Sequence, residues 1–483
     1  MDVEVTDLPG LTWDIESTPS LSRQTIASLL EQQDFHLEHF VGHSATTAST
    51  LSEHDHMVNL SQTFFQQHHH FLPCIHQSSF LSRLNHDTDW ADSSPLVWSI
   101  MAVAALNTSS TVVQSKSVAW QEKALQLYEQ SVYSNGEPLR DLQAAIWIIY
   151  LHYRSGHIIK AAMHLSQAYS LACIHGLNRI DDDRKPSYLN VPVKGVIEEE
   201  ECRSTMWALF ILDRQINYLH GLHFVVNDRL FYVNFPAESL ALPNSMEAGT
   251  RGTEQFRRKL TTFTAPSNPH GVPITQLVQK AVVLLGRIVE YHNIVPLDAD
   301  LKERADEVLY LQSTVARFWL SLPQSTSNIV DSPPEDLPYA IWINILLHLC
   351  SVLLNYPTSV CGKTEGLPSN FGKDADANAG FLRGFKSVQS IIQVVKSTAS
   401  VSQHLTSNPL LASAYFLCSR FLITRWRQTQ EPSHRLDVDL MITLFDRMSD
   451  MGTVLAQRYK EIVMRELDNH GPTGSLNHLP IGG

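Results

Sequence analysis

The sequence predicts an all-α protein, a multi-helical bundle of antiparallel helical hairpins in two fused helical units. Three observations carry that reading. Apolar residues recur at i, i+3, i+4, i+7 spacing along most of the chain. No segment holds a period-two alternation bounded by hairpin turns. A length of 483 residues with 43% hydrophobic and 18% charged residues exceeds what one hydrophobic core usually organises, while remaining globular in composition.

Residues 1–20 alternate acids with Val, Leu, Trp and Ile without a helical or strand period, which reads as an acidic disordered tail. Residues 21–240 form the first helical unit. Its clearest part is a hairpin from Pro138 to Ile174, broken at Ser155-Gly156. Leu142, Ala145, Ile146, Ile149, Tyr150 and Tyr153 share one face of the first helix. Ile158, Ala161, Ala162, Leu165, Ala168, Tyr169 and Ala172 share one face of the second, and Gly176 is placed to end it.

A further helix is predicted over Ile197–Leu219, opened by Glu198 to Glu201 at its positive end. Residues 241–273 carry Pro243, Pro266, Pro269 and Pro273 among Ser and Thr and read as a linker. Residues 274–469 are the C-terminal helical continuation, with helices at Ile274–Asn293, Leu301–Leu320, Pro338–Asn355, Phe381–His404, Pro409–Gln428 and Leu436–Leu467. A tail follows at 470–483. No fixed 34- or 40-residue repeat is evident.

The formal charge of −13 repels phosphate backbones unless basic residues cluster. The one basic cluster, Arg251, Arg257, Arg258 and Lys259, sits in the linker without aromatic interleaving and reads as a solvated loop, with a nuclear-import patch as the alternative. Cys74, Cys173, Cys202, Cys350, Cys361 and Cys418 are too widely spread for a zinc module and are expected to be reduced and mostly buried. The opening residues lack a basic and an apolar region, so no secretory signal is expected. The run Ala340 to Leu354 is interrupted by Asn344 and His348, so no membrane span is expected.

Catalytic motifs are sparse. Gly42-His43-Ser44-Ala45-Thr46 lacks the final Gly and the preceding strand of a nucleophile elbow. His36, His39 and His43, and the run His68-His69-His70, lack converging carboxylates or thiolates for a metal. Asp181-Asp182-Asp183 and Glu198 to Glu201 read as solvated faces or helix starts. Phosphate-cradling glycine loops are absent. The chain is therefore expected to work by regulatory binding, not as an enzyme, with no catalytic residue and no metal.

Three ordered segments resemble a known family. Phe64-Phe65 followed by Phe71-Leu72-Pro73-Cys74-Ile75-His76, with Phe80 beyond, is similar to the opening of the fungal-specific transcription factor domain, the middle homology region of fungal zinc-cluster and Cys2His2 transcription factors. Pro95-Leu96-Val97-Trp98 through Ala105 resembles its next helix, and Ala172, Gly176, Leu177 and Arg179 resemble a following motif. Glu199 to Arg203, Trp207, Ile211-Leu212-Asp213-Arg214, Gly221, Asp228 and Phe235-Pro236 resemble its last and longest signature, with Gly221-Leu222-His223 departing from the usual Gly-Arg-Pro. The resemblance covers about residues 60–240.

It implies a nuclear transcription regulator acting on RNA polymerase II genes through protein contacts, for a metabolic or secondary-metabolite pathway. The alternatives are a metabolite-sensing or partner-binding helical module detached from DNA binding, and an all-helical enzyme. Implied partners are a homodimer mate or a DNA-bound transcription factor, with DNA reached indirectly or through upstream sequence, a small-molecule effector, and no membrane. The DNA-binding zinc module usual in that family cannot be assembled from these cysteines, so zinc is expected only for a module absent from this chain, and no other cofactor is expected.

The matched residues Pro73, His76, Phe80, Gly176, Arg203, Trp207, Asp213, Arg214, Gly221 and Asp228 are expected to be structural. Asp213 needs a charged partner from Arg179, Arg203 or Arg214. Trp147 and Trp207 are expected to anchor the core. Leu72 and Phe80 are expected to be buried, and Pro73 to set the start of the next helix.

Overall fold

The computed structural model describes residues 53–108, 110–133, 137–184, 195–219, 223–236, 255–256, 260, 272–294, 301–355, 375–399 and 404–468. Among these, helices and turns account for all regular structure, and the chain is all-α. The acidic tail, His36, His39, His43, Gly221, Cys361, the basic residues Arg251, Arg257, Arg258 and Lys259, most of the linker and the 470–483 tail lie outside the described residues.

The N-terminal helices are α1 (Glu53–Gln67), α2 (Gln77–His86), α3 (Thr88–Ser93), α4 (Pro95–Ala105), α5 (Thr111–Tyr133), α6 (Pro138–Arg154), α7 (Ile158–Ile174) and α8 (Val196–Asn217). Proline at the first helical position starts α4 and α6, where its missing N–H removes no helical bond. Every residue of α4 is buried, and so is all of α6 but Pro138 and Arg140. Helix α4 packs against α1, α5 and α6, and α6 reaches α7 and α8. Gly176 ends α7 at φ 67°, in the left-handed region that a side chain disfavours.

Helices α9 (Ile274–Ile294), α10 (Leu301–Ser321), α11 (Gln324–Ser327), α12 (Leu337–Asn355), α13 (Ala375–Ala399), α14 (Ala412–Thr429), α15 (Pro432–Asp450) and α16 (Val454–Asp468) follow. Helix α12 is long and apolar enough to cross a bilayer, longer than the interrupted run read from the sequence. Within its most apolar stretch 78% is buried, because α9, α10 and α13 pack around it, which accounts for its composition.

Two predicted helices differ from the structure by more than a few residues at an end or by a break. The helix expected over Phe381–His404 starts at Ala375 and ends at Ala399. The one expected over Leu436–Leu467 is two, α15 and α16, separated at Met451-Gly452-Thr453. Gly452 takes φ 80° there, and its N–H is bonded to Ser449 O, so the chain turns where an unbroken apolar periodicity read as one helix.

A continuous cluster of buried hydrophobic residues extends from Met57 to Leu467. Polar contacts join α6 and the turn after it to the C-terminal helices. The Tyr153 hydroxyl lies 3.0 Å from Ser413 Oγ, itself 2.9 Å from the Tyr459 hydroxyl, and Arg458 donates to Gly156 O at 2.8 Å.

Candidate functional site

Helix α8 carries four of the motif residues, Arg203, Trp207, Asp213 and Arg214, and is buried without interruption from Glu200 to Asn217. Its polar side chains are thus removed from water and need partners. Three clusters along the helix supply them.

At the first, Arg203 pairs with Asp181 at 2.7 Å, with Glu200 at 2.5 Å and with Glu199. Glu201 accepts two bonds from Arg140, at 2.7 and 3.0 Å, and a third from the His76 N–H at 2.9 Å. His76 caps α2, its ring accepting from the Ser79 N–H. Pro73 is half-buried just before Cys74, and Phe80 is buried with its ring 5.6 Å from Phe65 and 5.7 Å from Trp90. Asp182 binds Arg179 at 2.6 Å and Arg184 at 3.1 Å, and the Arg179 guanidinium holds its carboxyl down to about 2. Asp181, Asp182, Glu200 and Glu201 are therefore not solvated faces. Arginines enclose them, some from nearby positions, as Arg179 for Asp182 and Arg203 for Glu200, and some from other elements, as Arg140 for Glu201 and Arg203 for Asp181.

At the second, Trp207 is fully buried. Its ring stacks on Phe235 at 4.6 Å and meets Phe231 edge-on at 5.1 Å, and its Nε1 donates to Asn234 O at 2.9 Å. The Asn234 N–H donates to Asp181 at 2.7 Å, so the first two clusters share one loop. Trp147 is equally buried, edge-on to Phe64 at 4.6 Å.

At the third, Asp213 accepts from the N–H groups of Val225 and Val226, both at 3.0 Å, from Asn217 at 2.8 Å and from Arg214. Burial pushes its carboxyl up, while Arg214 and the two amides oppose that. Arg214 also donates to Asp228 and to Val226 O, between the rings of Phe210 and Phe224 at 4.0 and 4.4 Å. Of the three arginines considered for Asp213, Arg214 is the partner. Asp228 receives a second ion pair from Arg287 of α9 at 2.6 Å.

The structure thus joins Asp213, Arg214 and Asp228 in one cluster and ties Arg203 to His76 through adjacent glutamates. Gly176 stands apart as a helix terminator. The sequence reading missed Arg140, Arg287 and Gly286. A lone Gly-Arg step inside the apolar run Ala281–Val289 was the available signal for the last two. Among the described residues no group of three or more His, Cys, Asp or Glu is arranged to hold a metal ion. His68 and His69 are buried; His69 Nε2 accepts from the Ile75 N–H at 3.1 Å. Cys74, Cys202, Cys350 and Cys418 are free and buried, and Cys173 is free and half-buried.

This arrangement fastens segments together: α2 and α6 to the start of α8, the loop through Asp181 and Asn234 to its middle, and α9 to its end. Residues 61–264 match the family model described as the fungal specific transcription factor domain. Three curated relatives align over part of the chain. The citrinin biosynthesis transcriptional activators mrl3 of Monascus ruber and ctnR of Monascus purpureus are each 21% identical over 44% of the chain, covering 42% and 37% of their own lengths. The asperfuranone cluster transcription factor afoA of Emericella nidulans is 22% identical over 40% of the chain and 32% of its own length. The alignments thus span less than half of each relative, and no solved structure matches. The ordered motifs, the helical fold and this match to the fungal specific transcription factor domain agree over residues 61–264.

Proposed function

We propose that the chain is a nuclear transcription regulator that acts on a secondary-metabolite pathway through protein contacts. The observation that carries this reading is the domain match over 61–264, coincident with α1 to α8 and with the three clusters on α8. The names of three relatives as activators or factors of biosynthetic clusters support the pathway class. The clusters favour a regulatory over a catalytic role: in the first and third, buried carboxylates are committed to arginines and backbone amides. The net charge of −13 favours protein contacts over direct contact with phosphates.

The test supplies the DNA contact from outside. The 483-residue chain, fused to an unrelated DNA-binding domain, is tethered upstream of a minimal promoter in a fungal host. A change in reporter transcript relative to the DNA-binding domain alone is expected. A reporter unaffected by a fusion that is expressed and nuclear would contradict the proposal.

A further inference from the structure

A cavity of about 240 Å³ lies where the end of α1, the C-terminal half of α6, the start of α12, the 405–409 turn and Met451 meet. This volume falls just below the roughly 300–1,000 Å³ of drug-sized sites, so its occupant is small. Its walls include the rings of Phe71, Tyr150, Tyr339 and Trp342, and none of its lining residues is an Asp or Glu.

Arg154 projects into this space while only 2% exposed. Among the described residues it donates to the carbonyl of Met451 and lies 5.7 Å from the centre of the Tyr150 ring; Nε has no acceptor, and no carboxylate pairs with the guanidinium. The contrast within the molecule is direct, since Arg203, Arg214 and Arg287 each hold at least one carboxylate. An arginine cannot neutralise itself by losing a proton, and an uncompensated buried charge costs several kcal/mol. Beside it, His68 is 1% exposed with neither ring nitrogen bonded, and Trp342 Nε1 is buried without an acceptor. Unmet polar atoms from three helices or helix ends thus converge on one aromatic chamber.

We infer that this cavity binds a small aromatic carboxylate, its carboxylate on Arg154 and its ring between Tyr150 and Trp342. A planar guanidinium suits a carboxylate, and a single cation suits a monoanion. The aromatic walls select a flat apolar body, and His68 and the Trp342 N–H serve a second polar substituent. The assignment is independent of the transcription reading, since binding is measured on the purified chain without any reporter.

The probes are benzoate, 3-hydroxybenzoate and 4-hydroxybenzoate, with benzamide as a neutral match in shape. Thermal unfolding and tryptophan fluorescence are followed on the full chain. At least one carboxylate is expected to raise the melting temperature and quench fluorescence, binding about tenfold or more tightly than benzamide. Arg154→Gln is expected to remove that preference. Trp342→Phe is expected to remove the quench while keeping the thermal response. Equal response to acid and amide, or no response to any acid at millimolar concentration, overturns the inference on the unaltered chain, whatever the folding of the variants. A quench that persists in Trp342→Phe overturns the placement.

Discussion

Arg287 of α9 meets the carboxylate of Asp228 at 2.6 Å, and that carboxylate also receives Arg214 from α8. One acid thereby joins the last helix N-terminal to the linker to the first helix beyond it. Both Arg214 and Asp228 are buried, so Asp228→Ala takes a carboxylate from each of two guanidinium groups, leaving Arg214 to Asp213 and Arg287 to Glu290 at 3.5 Å. A loss of about 3–5 kcal/mol of stability is expected, as for other broken buried pairs. Arg287→Ala, at a side chain 14% exposed, is expected to cost less. Denaturant unfolding of the two variants gives the order, and a larger loss for Arg287→Ala would contradict it.

Gly286 sits where α9 crosses Arg214. A β-carbon there would lie 3.0 Å from Arg214 Nε and 3.1 Å from its Cγ. Arg214 cannot retreat without leaving Asp213 and Asp228, so Gly286→Ala is expected to destabilise by about 1–3 kcal/mol despite the better helix propensity of alanine. A stabilised Gly286→Ala in chemical denaturation would show that the helices separate freely.

Trp207 combines complete burial with one hydrogen bond. Trp207→Ala is expected to cost about 3–5 kcal/mol through the cavity left among Phe210, Phe231 and Phe235. Trp207→Phe keeps much of the packing but leaves Asn234 O without its donor, and a smaller loss is expected. Unfolding midpoints of the pair distinguish packing from hydrogen bonding.

Stability is expected to fall with acidification from pH 6.5 towards 4. Burial pushes His68 well below its ordinary value, His69 to about 3 and His152 to about 4. In the unfolded chain each takes up a proton near 6.5, so between these values the unfolded state binds more protons and folding weakens as pH falls. Each histidine contributes roughly 1.4 kcal/mol per pH unit inside its window. His70 and His348, each lowered by burial to about 4, act in the same sense, while Asp141, raised by burial from 3.8 to about 6, acts in the opposite sense between those values, as does Asp213, also pushed up by burial. Urea midpoints at pH 7, 5.5 and 4.5 check the sign. Protonation of His69 also costs the bond accepted from Ile75, so His69→Gln is expected to flatten part of the slope.

Much of the helical framework is legible in the sequence because its causes are local. Pro138 marks a first turn, and Gly176 a last one. The 3.6-residue apolar period marks the faces of α6 and α7. Gly452 escaped because the apolar pattern continues across it. Glu198 and Glu199 do open α8, but the solvated-face reading misled at Glu201 and Asp181, whose neutralising partners are remote: Arg140 lies 61 positions from Glu201, and Arg203 lies 22 from Asp181. The cavity around Arg154 was invisible for the same reason, since its walls come from α1, α6, α12 and the 405–409 turn. What identifies it is a buried arginine with no acid beside it among the described residues, a relationship that exists only after packing.

The central claim is that the chain regulates transcription, and its most direct test is transcript sequencing after deletion of its gene, with restoration by the intact coding sequence. The account predicts restored, reproducible changes concentrated in a contiguous set of biosynthetic genes. An unchanged transcriptome, under conditions in which the protein is detected, would contradict it.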